Sequence, residues 1–365
     1  MSKTQNRVIW VDLARILAIC LMMMYHLCGK GMWWATTEQY QISYFCMEYR
    51  VLIFFHLVSR ICIPMVLMVS GMFMLEPQKQ GNLKYLYRHN ILRILLSLMV
   101  WNAIYTLHRT VKEAYHGKEF FSTWKEYFTE THYHLKFLYS LTGIYVLVPV
   151  LRIFAKYADE QIWRYLLTCC LVGICVLPTL QMIDYRSCEN IFKYLARFFP
   201  AFISASSGIG YAVYCMLGYY IKNHNISIRT TKWITMAAVA AGAVEVVGKP
   251  FYPEKIASLG YYDMGTIFTS AAVVLWIRKI FEHPSDRIQK FLGRRQNIIY
   301  ALSKWSFGAY LVHDFILQYF IDSRSYLLVR YPLQMLAMDE VIVVIASFAV
   351  SALLNQIPFV RKYFV

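Results

Sequence analysis

Long apolar segments separated by short polar connections make up most of this chain. A helix of about 20 apolar residues crosses the roughly 30 Å hydrocarbon core of a bilayer, and in lipid only helices and closed barrels satisfy their backbone hydrogen bonds. The pattern therefore predicts an all-α polytopic membrane protein with about ten transmembrane helices. The predicted spans cover residues 8–28, 51–75, 90–108, 137–155, 163–183, 205–221, 233–248, 262–281, 298–320 and 340–360.

The connections between these spans are too short to hold a folded extramembrane domain. The longest connection, residues 109–136, is amphiphilic, and we expect it to lie on the membrane surface. We therefore expect one transmembrane domain over residues 1–365 and no fused soluble domain. The first span follows Lys3 and Arg7 as the apolar part of a signal peptide would, but its length and its charged residues predict an uncleaved span.

Composition supports this assignment and excludes other classes of protein. Hydrophobic residues make up 58% of the 365 residues and charged residues only 16%, with a formal net charge of +16. Soluble domains contain about one quarter charged residues. The basic residues lie mostly in the short connections, which suits lipid headgroups and membrane topology, so no nucleic-acid partner is expected. Their distribution favours both termini in the cytoplasm.

The first span carries a polar stripe. Its ionisable residues are Asp12, Arg15 and His26, and a helix that turns about 100° per residue places positions 12, 15, 19, 22 and 26 on one face. Arg15 and His26 are about 16 Å apart along a regular helix. An arginine inside a membrane helix costs about 2.5–3.5 kcal/mol and normally faces a cavity or a partner. The stripe predicts a polar path; the alternative is that Arg15 pairs with Asp12 or extends to the surface, with His26 interfacial.

Polar motifs interrupt the apolar spans in a definite order. They are Trp10-Val-Asp12-Leu-Ala-Arg15 with His26, Ile63-Pro64-Met-Val-Leu-Met-Val-Ser70-Gly71, Tyr87-Arg88-His-Asn-Ile-Leu-Arg93, His134-Leu-Lys136-Phe-Leu-Tyr139 and Ser303-Lys-Trp-Ser306-Phe-Gly308-Ala-Tyr310-Leu-Val-His313. In this order, and over nearly the whole chain, they resemble the signature segments of the acyltransferase family 3 membrane proteins. Two positions depart from the family pattern: Lys136 stands where Trp is usual, and Val66 stands where Phe is usual.

The resemblance implies an activity and a location. Within the family the chain is similar to the short, stand-alone O-acetyltransferases of surface polysaccharides, such as the one for enterobacterial common antigen. Such an enzyme transfers an acyl group, usually acetyl, from cytoplasmic acyl-CoA to a hydroxyl of a cell-envelope glycan. The implied location is the bacterial inner membrane, with acyl-CoA, the glycan and the lipid bilayer as partners. Whether the chain forms a homo-oligomer is left open.

The motif residues suit this chemistry. His26 is expected to act as the base near the attacking hydroxyl, or to accept the acyl group itself and pass it on. Arg15 is too far along the helix to act on the same atom, so we expect it to steer the pantetheine–phosphate part of CoA, with Asp12 orienting it. Arg88 and Arg93 are further candidates for CoA phosphates, because guanidinium groups bind phosphate well.

A second set of residues is expected on the acceptor side. His134 and Tyr139 open the fourth span, where an acceptor sugar would enter, and His313 ends the motif in the ninth span and is predicted to line the cavity. The spacing of His132 and His134 also occurs in metal sites, but two histidines without cysteine or carboxylate ligands are weak support, so no metal is expected.

Other interpretations stay open at this stage. The polar stripe would also suit a transporter of a small solute or a polysaccharide unit, and the chain would also suit a non-catalytic assembly protein of an envelope synthase. The pair Ser70-Gly71 indicates close helix packing rather than a nucleophile. Glu245 and Asp263 are carboxylates in or near the membrane and so are functional candidates without a supporting motif. The acceptor sugar and the acyl chain are not determined.

Overall fold

The computed structural model describes residues 8–37, 39–77, 83–176, 208–248, 260–282 and 284–365. These residues form helices and connecting turns, and no strand occurs among them. The α-helices of six or more residues are α1 (Ile9–Ala35), α2 (Met47–Ser59), α3 (Cys62–Met74), α4 (Leu92–Tyr115), α5 (Phe120–Thr129), α6 (Lys136–Tyr157), α7 (Glu160–Leu171), α8 (Gly208–Asn223), α9 (Ile228–Gly248), α10 (Met264–Glu282), α11 (Asp286–Ile316), α12 (Ser325–Arg330), α13 (Pro332–Leu354) and α14 (Pro358–Tyr363).

Shorter helical segments extend several of these helices. A single turn precedes a π-helical segment before α4, and π-helical segments also follow α7 and α11. The remaining short segments are 3₁₀ turns. In chain order these segments are Leu83–Tyr85, Leu86–Ile91, Tyr133–Leu135, Val172–Val176, Gly260–Tyr262, Leu317–Ile321 and Asp322–Arg324.

Six helical segments among the described residues are long and apolar enough to cross a membrane: Ile9–Ala35, Met47–Met74, Leu83–Tyr115, Phe120–Tyr157, Met264–Glu282 and Pro332–Leu354. The chain is therefore an all-helical, multi-pass membrane protein. The larger number of about ten spans stays a prediction. Two of the predicted spans, 163–183 and 205–221, extend outside the described residues.

Helix α1 lies at the centre of the bundle. It packs against α2, α3, α10, α11 and α13. Ala14 and Ala18 on its buried side have no exposed surface, and such small side chains allow neighbouring helices to approach closely. The helix is unbroken from Ile9 to Ala35, so the spacing predicted for its polar residues holds in the fold.

The second predicted span divides at Arg60 and Ile61, where the chain leaves α2 and enters α3. The Arg60 side chain is buried and forms salt bridges to Glu245 and, at 2.7 Å, to Asp263. Its Nε donates to the hydroxyl of Thr266 at 2.8 Å. The break is thus fixed to α9 and α10 by a buried ionic group. Both carboxylates that the sequence marked as functional candidates are used in this contact.

Helices α3 and α8 cross backbone to backbone at two glycines. A Cβ placed on Gly71 would overlap the backbone of Cys215, and one placed on Gly218 would overlap the backbone of Met68. Any larger side chain at these positions would push the helices apart. This confirms the prediction that Ser70-Gly71 marks close helix packing.

The connection of residues 109–136 packs against the bundle, and its expected location at the membrane surface stays a prediction. Helix α4 continues to Tyr115, and α5 then packs along it. The Asn102 amide donates to the backbone carbonyl of Phe128 at 3.2 Å, and the Thr106 hydroxyl donates to that of Tyr127 at 3.3 Å. These contacts place the residues that follow α5 beside the buried end of α11.

Candidate active site

Asp12, Arg15 and Ser303 form a hydrogen-bonded group between α1 and α11. The Ser303 hydroxyl donates to Asp12 Oδ1 at 2.5 Å, and Arg15 Nη1 donates to Ser303 Oγ at 3.3 Å. Asp12 and Ser303 are buried, whereas Arg15 is half-buried and faces a cavity. Hydrogen bonds to charged groups are stronger than those between neutral groups. The serine therefore connects the two charged residues that the sequence predicted to act together.

We call the space beside Arg15 the arginine cavity. Its volume is about 670 Å³. Basic side chains from α1, from the segment around the start of α4, and from α11 and α14 line it: Arg15, Arg88, His89, Arg93, Lys304 and Lys362. Among the described residues no aspartate or glutamate lines this cavity. Because cations without carboxylates attract phosphate groups, the cavity is suited to an anionic ligand.

The two arginines predicted to bind phosphate differ in their surroundings. Arg93 Nη2 donates to the backbone carbonyl of Arg361 at 3.4 Å and also to that of Val365. Arg88 is exposed at the edge of the cavity and makes no such contact among the described residues. A phosphate would therefore reach Arg88 directly, whereas Arg93 would exchange carbonyl partners for it.

The second space, the histidine cavity, surrounds His26. Its volume is about 180 Å³. Its lining residues are Met22, His26, Ile63, Tyr133, His134, Lys136, Phe137, Ser140, Tyr211, Tyr261 and Tyr310. Three of these side chains, Met22, Phe137 and Tyr310, also line the arginine cavity. The two cavities are therefore adjacent, and these three side chains form the wall between them.

His26 lies among aromatic rings. Its imidazole stacks on that of His313, with ring centroids 5.2 Å apart and an angle of 28° between the planes. The ring of Tyr133 meets it edge to face at 5.1 Å. No hydrogen bond to the His26 ring occurs among the described residues. The ring is therefore positioned by packing, and its nitrogens remain available to a substrate.

The hydrogen bonding of His313 fixes its tautomer. His313 Nδ1 lies 2.6 Å from the backbone carbonyl oxygen of Tyr310, which can only accept, so Nδ1 carries the hydrogen. In the neutral ring Nε2 is then the basic nitrogen. This atom is buried and has no hydrogen-bond partner among the described residues. His313 therefore presents a second proton acceptor beside His26.

A hydrogen-bonded network lies behind this pair. The Nδ1 atoms of His132 and His134 are 2.9 Å apart, so one donates to the other. His132 Nε2 lies 3.4 Å from the carboxylate of Asp314, which also accepts from the Tyr133 hydroxyl and, at 2.5 Å, from the Gln318 amide. Asp314 is fully buried. A buried carboxylate with several donors is a rigid anchor, so it fixes His132 and Tyr133 in place.

The network also contains residues of the types that bind metal ions. The ligand-type atoms of His132, His134 and Asp314 lie within 4.8 Å of one another. Adjacent ligands of a tetrahedral zinc ion are about 3.4 Å apart, because zinc–ligand bonds are close to 2.1 Å. His132 contacts both His134 and Asp314 through its two ring nitrogens, whereas the buried His134 Nε2 has no hydrogen-bond partner among the described residues. The expectation that no metal is needed stays a prediction.

The third space, the surface cavity, opens beyond the histidine cavity and has a volume of about 690 Å³. Its lining residues are Arg109, Thr129, Glu130, Thr131, His132, Tyr133, Lys136 and Tyr139. Tyr133 and Lys136 line both this cavity and the histidine cavity. The three spaces therefore follow one another, with Arg15 at one end, His26 in the middle and Tyr139 at the other end.

Comparison with known proteins decides the class of this protein. A family profile described as an acyltransferase domain matches residues 8–356, essentially the whole chain. The chain belongs to acyltransferase family 3. It is therefore a multi-pass membrane acyltransferase. No curated protein and no solved structure gives a significant match.

The fold brings most of the predicted site residues of this acyltransferase to one path. Arg15, Arg88 and Arg93 line the arginine cavity, and Asp12 joins them through Ser303. His26 and His134 line the histidine cavity, and His313 stacks on His26. Tyr139 lies farther out, in the surface cavity, where its hydroxyl and that of Thr131 are hydrogen-bonded at 2.7 Å. Its predicted role at the acceptor entrance stays a prediction.

Sequence reasoning missed several members of the acyltransferase site. Ser303, Lys304 and Asp314 were not singled out, although all three lie inside or next to the motif that ends at His313. Tyr310 also lies inside that motif, and Tyr133 directly precedes the motif that begins at His134; tyrosines are frequent in this chain, so neither was given a role. A position in or beside a family motif is the sequence signal that all five residues share.

Proposed function

We propose that this acyltransferase moves an acetyl or other short acyl group from cytoplasmic acyl-CoA to a hydroxyl of a cell-envelope glycan. The observation that carries the proposal is the order of the three cavities. Several cations and, among the described residues, no carboxylate line the arginine cavity, so it would attract the negatively charged phosphates of CoA. His26 lies between it and the surface cavity, where a glycan would enter.

The length of the path suits a long, thin donor. Arg15 and His26 are about 16 Å apart along an unbroken helix. A donor whose phosphates contact Arg15 and Arg88 would extend its pantetheine arm past Met22 and Phe137 toward His26. The thioester would then be held next to the imidazole, and holding reactants in place in this way accounts for a large share of enzymatic rate enhancement.

The chemical step is an acyl transfer. The glycan hydroxyl oxygen attacks the thioester carbonyl carbon, and the imidazole of His26 takes the hydroxyl proton. The carbon–sulfur bond then breaks, and the CoA thiolate leaves and takes up a proton, so the products are the glycan ester and CoA. In the relayed alternative, His26 first accepts the acyl group on a ring nitrogen and the hydroxyl attacks that intermediate. His313 Nε2, which has no hydrogen-bond partner among the described residues, is then available as the base.

The proposal is tested with purified protein in nanodiscs. Acetyl-CoA labelled in the acetyl group is supplied with envelope glycan from cells that express the protein, after mild base has removed existing esters. Released CoA and labelled glycan are measured together. We expect His26→Ala to lower both by roughly 10²–10⁴-fold. The matched control is His224→Ala, because His224 lies at the end of α8, does not line the cavities described above and contacts its own helix.

The outcomes separate the interpretations. An absence of thioester turnover and of labelled glycan in the wild type would refute the proposal. Equal label transfer by the wild type and by folded His26→Ala would refute the role of His26 and leave the transferase activity standing. Uptake of an unmodified solute by sealed vesicles, without acyl transfer, would support the transporter instead. Rapid denaturation of the enzyme with donor alone distinguishes the routes, because protein-bound label that hydroxylamine releases and that is absent from His26→Ala indicates an acyl-histidine.

A further inference from the structure

The side chains that line the surface cavity carry a net positive charge. Arg109 and Lys136 line it, and Glu130 is its acidic lining residue. Among the described residues neither cation forms a salt bridge, since no carboxylate oxygen lies within 4.0 Å of either. A charge held at the wall of a concave site attracts an opposite charge more strongly than one on a flat surface.

The positions of the two cations are set by the fold. Arg109 belongs to α4, and its guanidinium carbon lies 3.9 Å from the centroid of the Tyr127 ring, a cation–π contact that limits its movement. Lys136 is the first residue of α6, and its side chain is exposed. The two side chains approach the same space from different helices. A ligand entering there meets both of them.

Lys136 also connects this space to the reacting groups. It lines both the surface cavity and the histidine cavity, as Tyr133 does. Tyr139 adds an exposed aromatic ring and a hydroxyl to the wall of the surface cavity. Such a wall, with aromatic faces, hydroxyls and two cations, suits a sugar that carries an anionic group. Because Lys136 lines both spaces, a sugar bound to it can present a neighbouring hydroxyl to the histidine cavity.

From this arrangement we propose that the acceptor is an anionic glycan, and that Arg109 and Lys136 bind its carboxylate or phosphate while Glu130 opposes that binding. The inference rests on the proposed function and names the class of acceptor for the same site. It makes Arg109, Lys136 and Glu130 residues that determine specificity and not catalytic residues. Removal of their charges therefore changes acceptor affinity more than turnover.

The test uses full-length protein in nanodiscs, acetyl-CoA and de-esterified envelope glycan in matched forms. One portion is untreated, one has its sugar carboxylates reduced to alcohols, and one has any phosphate that links the glycan to a lipid, here called the carrier phosphate, removed by cleavage. We expect kcat/KM to fall roughly tenfold for one of the treated forms. A fall on carboxyl reduction identifies a sugar carboxylate as the anionic group, and a fall on cleavage identifies the carrier phosphate.

Variants that remove a charge give an independent test, because removal of a cation and removal of the carboxylate should change the KM for the glycan in opposite directions. We expect Lys136→Gln and Arg109→Gln each to raise the KM for untreated glycan by roughly threefold to tenfold with kcat little changed, and Glu130→Gln to lower it. Lys136→Arg keeps the charge and should keep the KM. The matched control is Lys125→Gln, since Lys125 is exposed on α5 and does not line the surface cavity.

The inference fails separately from the proposed function. If acyl transfer proceeds with the same kcat/KM on untreated, reduced and cleaved glycan, the acceptor is not selected by charge, although the enzyme is still an acyltransferase for glycans. Unchanged KM values in the Lys136 and Glu130 variants would lead to the same conclusion. If no form of the glycan is acylated, the proposed function is wrong and this inference is wrong with it.

Discussion

Replacing Ser303 by alanine tests how Arg15 is held. The Ser303 hydroxyl donates to Asp12 at 2.5 Å and accepts from Arg15 at 3.3 Å, and the substitution removes both contacts without adding bulk. A hydrogen bond to a charged group contributes about 1.5–3 kcal/mol. The bond to Asp12 is the shorter one, so we expect it to account for most of the decrease in the free energy of unfolding. The longer bond to Arg15 should contribute about 1 kcal/mol.

The effect on function should appear at the donor. Arg15 lines the arginine cavity, and a side chain that has lost a fixed partner must be ordered again when the donor binds. We therefore expect Ser303→Ala to raise the KM for acetyl-CoA roughly threefold to tenfold, with a smaller change in the KM for the glycan. Ser303→Thr, which keeps the hydroxyl, should restore the donor KM.

Steady-state kinetics with either substrate varied, together with thermal unfolding in detergent, measures these changes. The matched control is Ser270→Ala, because Ser270 is buried on α10 and its hydroxyl bonds only to the carbonyl of Ile267 among the described residues. If Ser303→Ala and Ser270→Ala lower the melting temperature equally and leave the donor KM unchanged, Ser303 is a packing residue and the reasoning is wrong.

Further predictions follow from other buried contacts. Gly71→Ala should lower the melting temperature by many degrees, because its Cβ would overlap the backbone of α8; an unchanged melting temperature would contradict the packing at Gly71 and Gly218. Arg60→Leu should lower the free energy of unfolding by about 3–5 kcal/mol, because it leaves the buried Asp263 and the half-buried Glu245 without their cation. Arg164→Ala, at an exposed ion pair, should lower it far less, and equal losses would refute this. Asp314→Asn should lower kcat more than it changes the KM for acetyl-CoA, since it loosens the histidine network and not the arginine cavity; a change confined to the donor KM would refute this.

Much of the fold was predictable because it depends on local properties of the chain. Length and apolarity alone decide whether a segment crosses lipid as a helix, so the all-helical membrane class followed from composition and pattern. The polar face of α1 was predictable for a similar reason. The angle per residue of a helix is constant, so Arg15 and His26 share a face wherever the helix packs.

Other features depend on which segments meet in space, and the pattern along the chain carries no information on that. The break at Arg60 sits inside a continuous apolar run, and it is understood only when Glu245 and Asp263 from two later helices are seen around it. His132 and Asp314 are separated by about half of the chain's length. Lys136 lines two cavities only because α6 begins next to the cavity that His26 of α1 also lines. The helical repeat settled which face of α1 is polar. Packing between distant helices settled what that face meets, because contact energies between remote segments depend on the whole arrangement and not on any one stretch of residues.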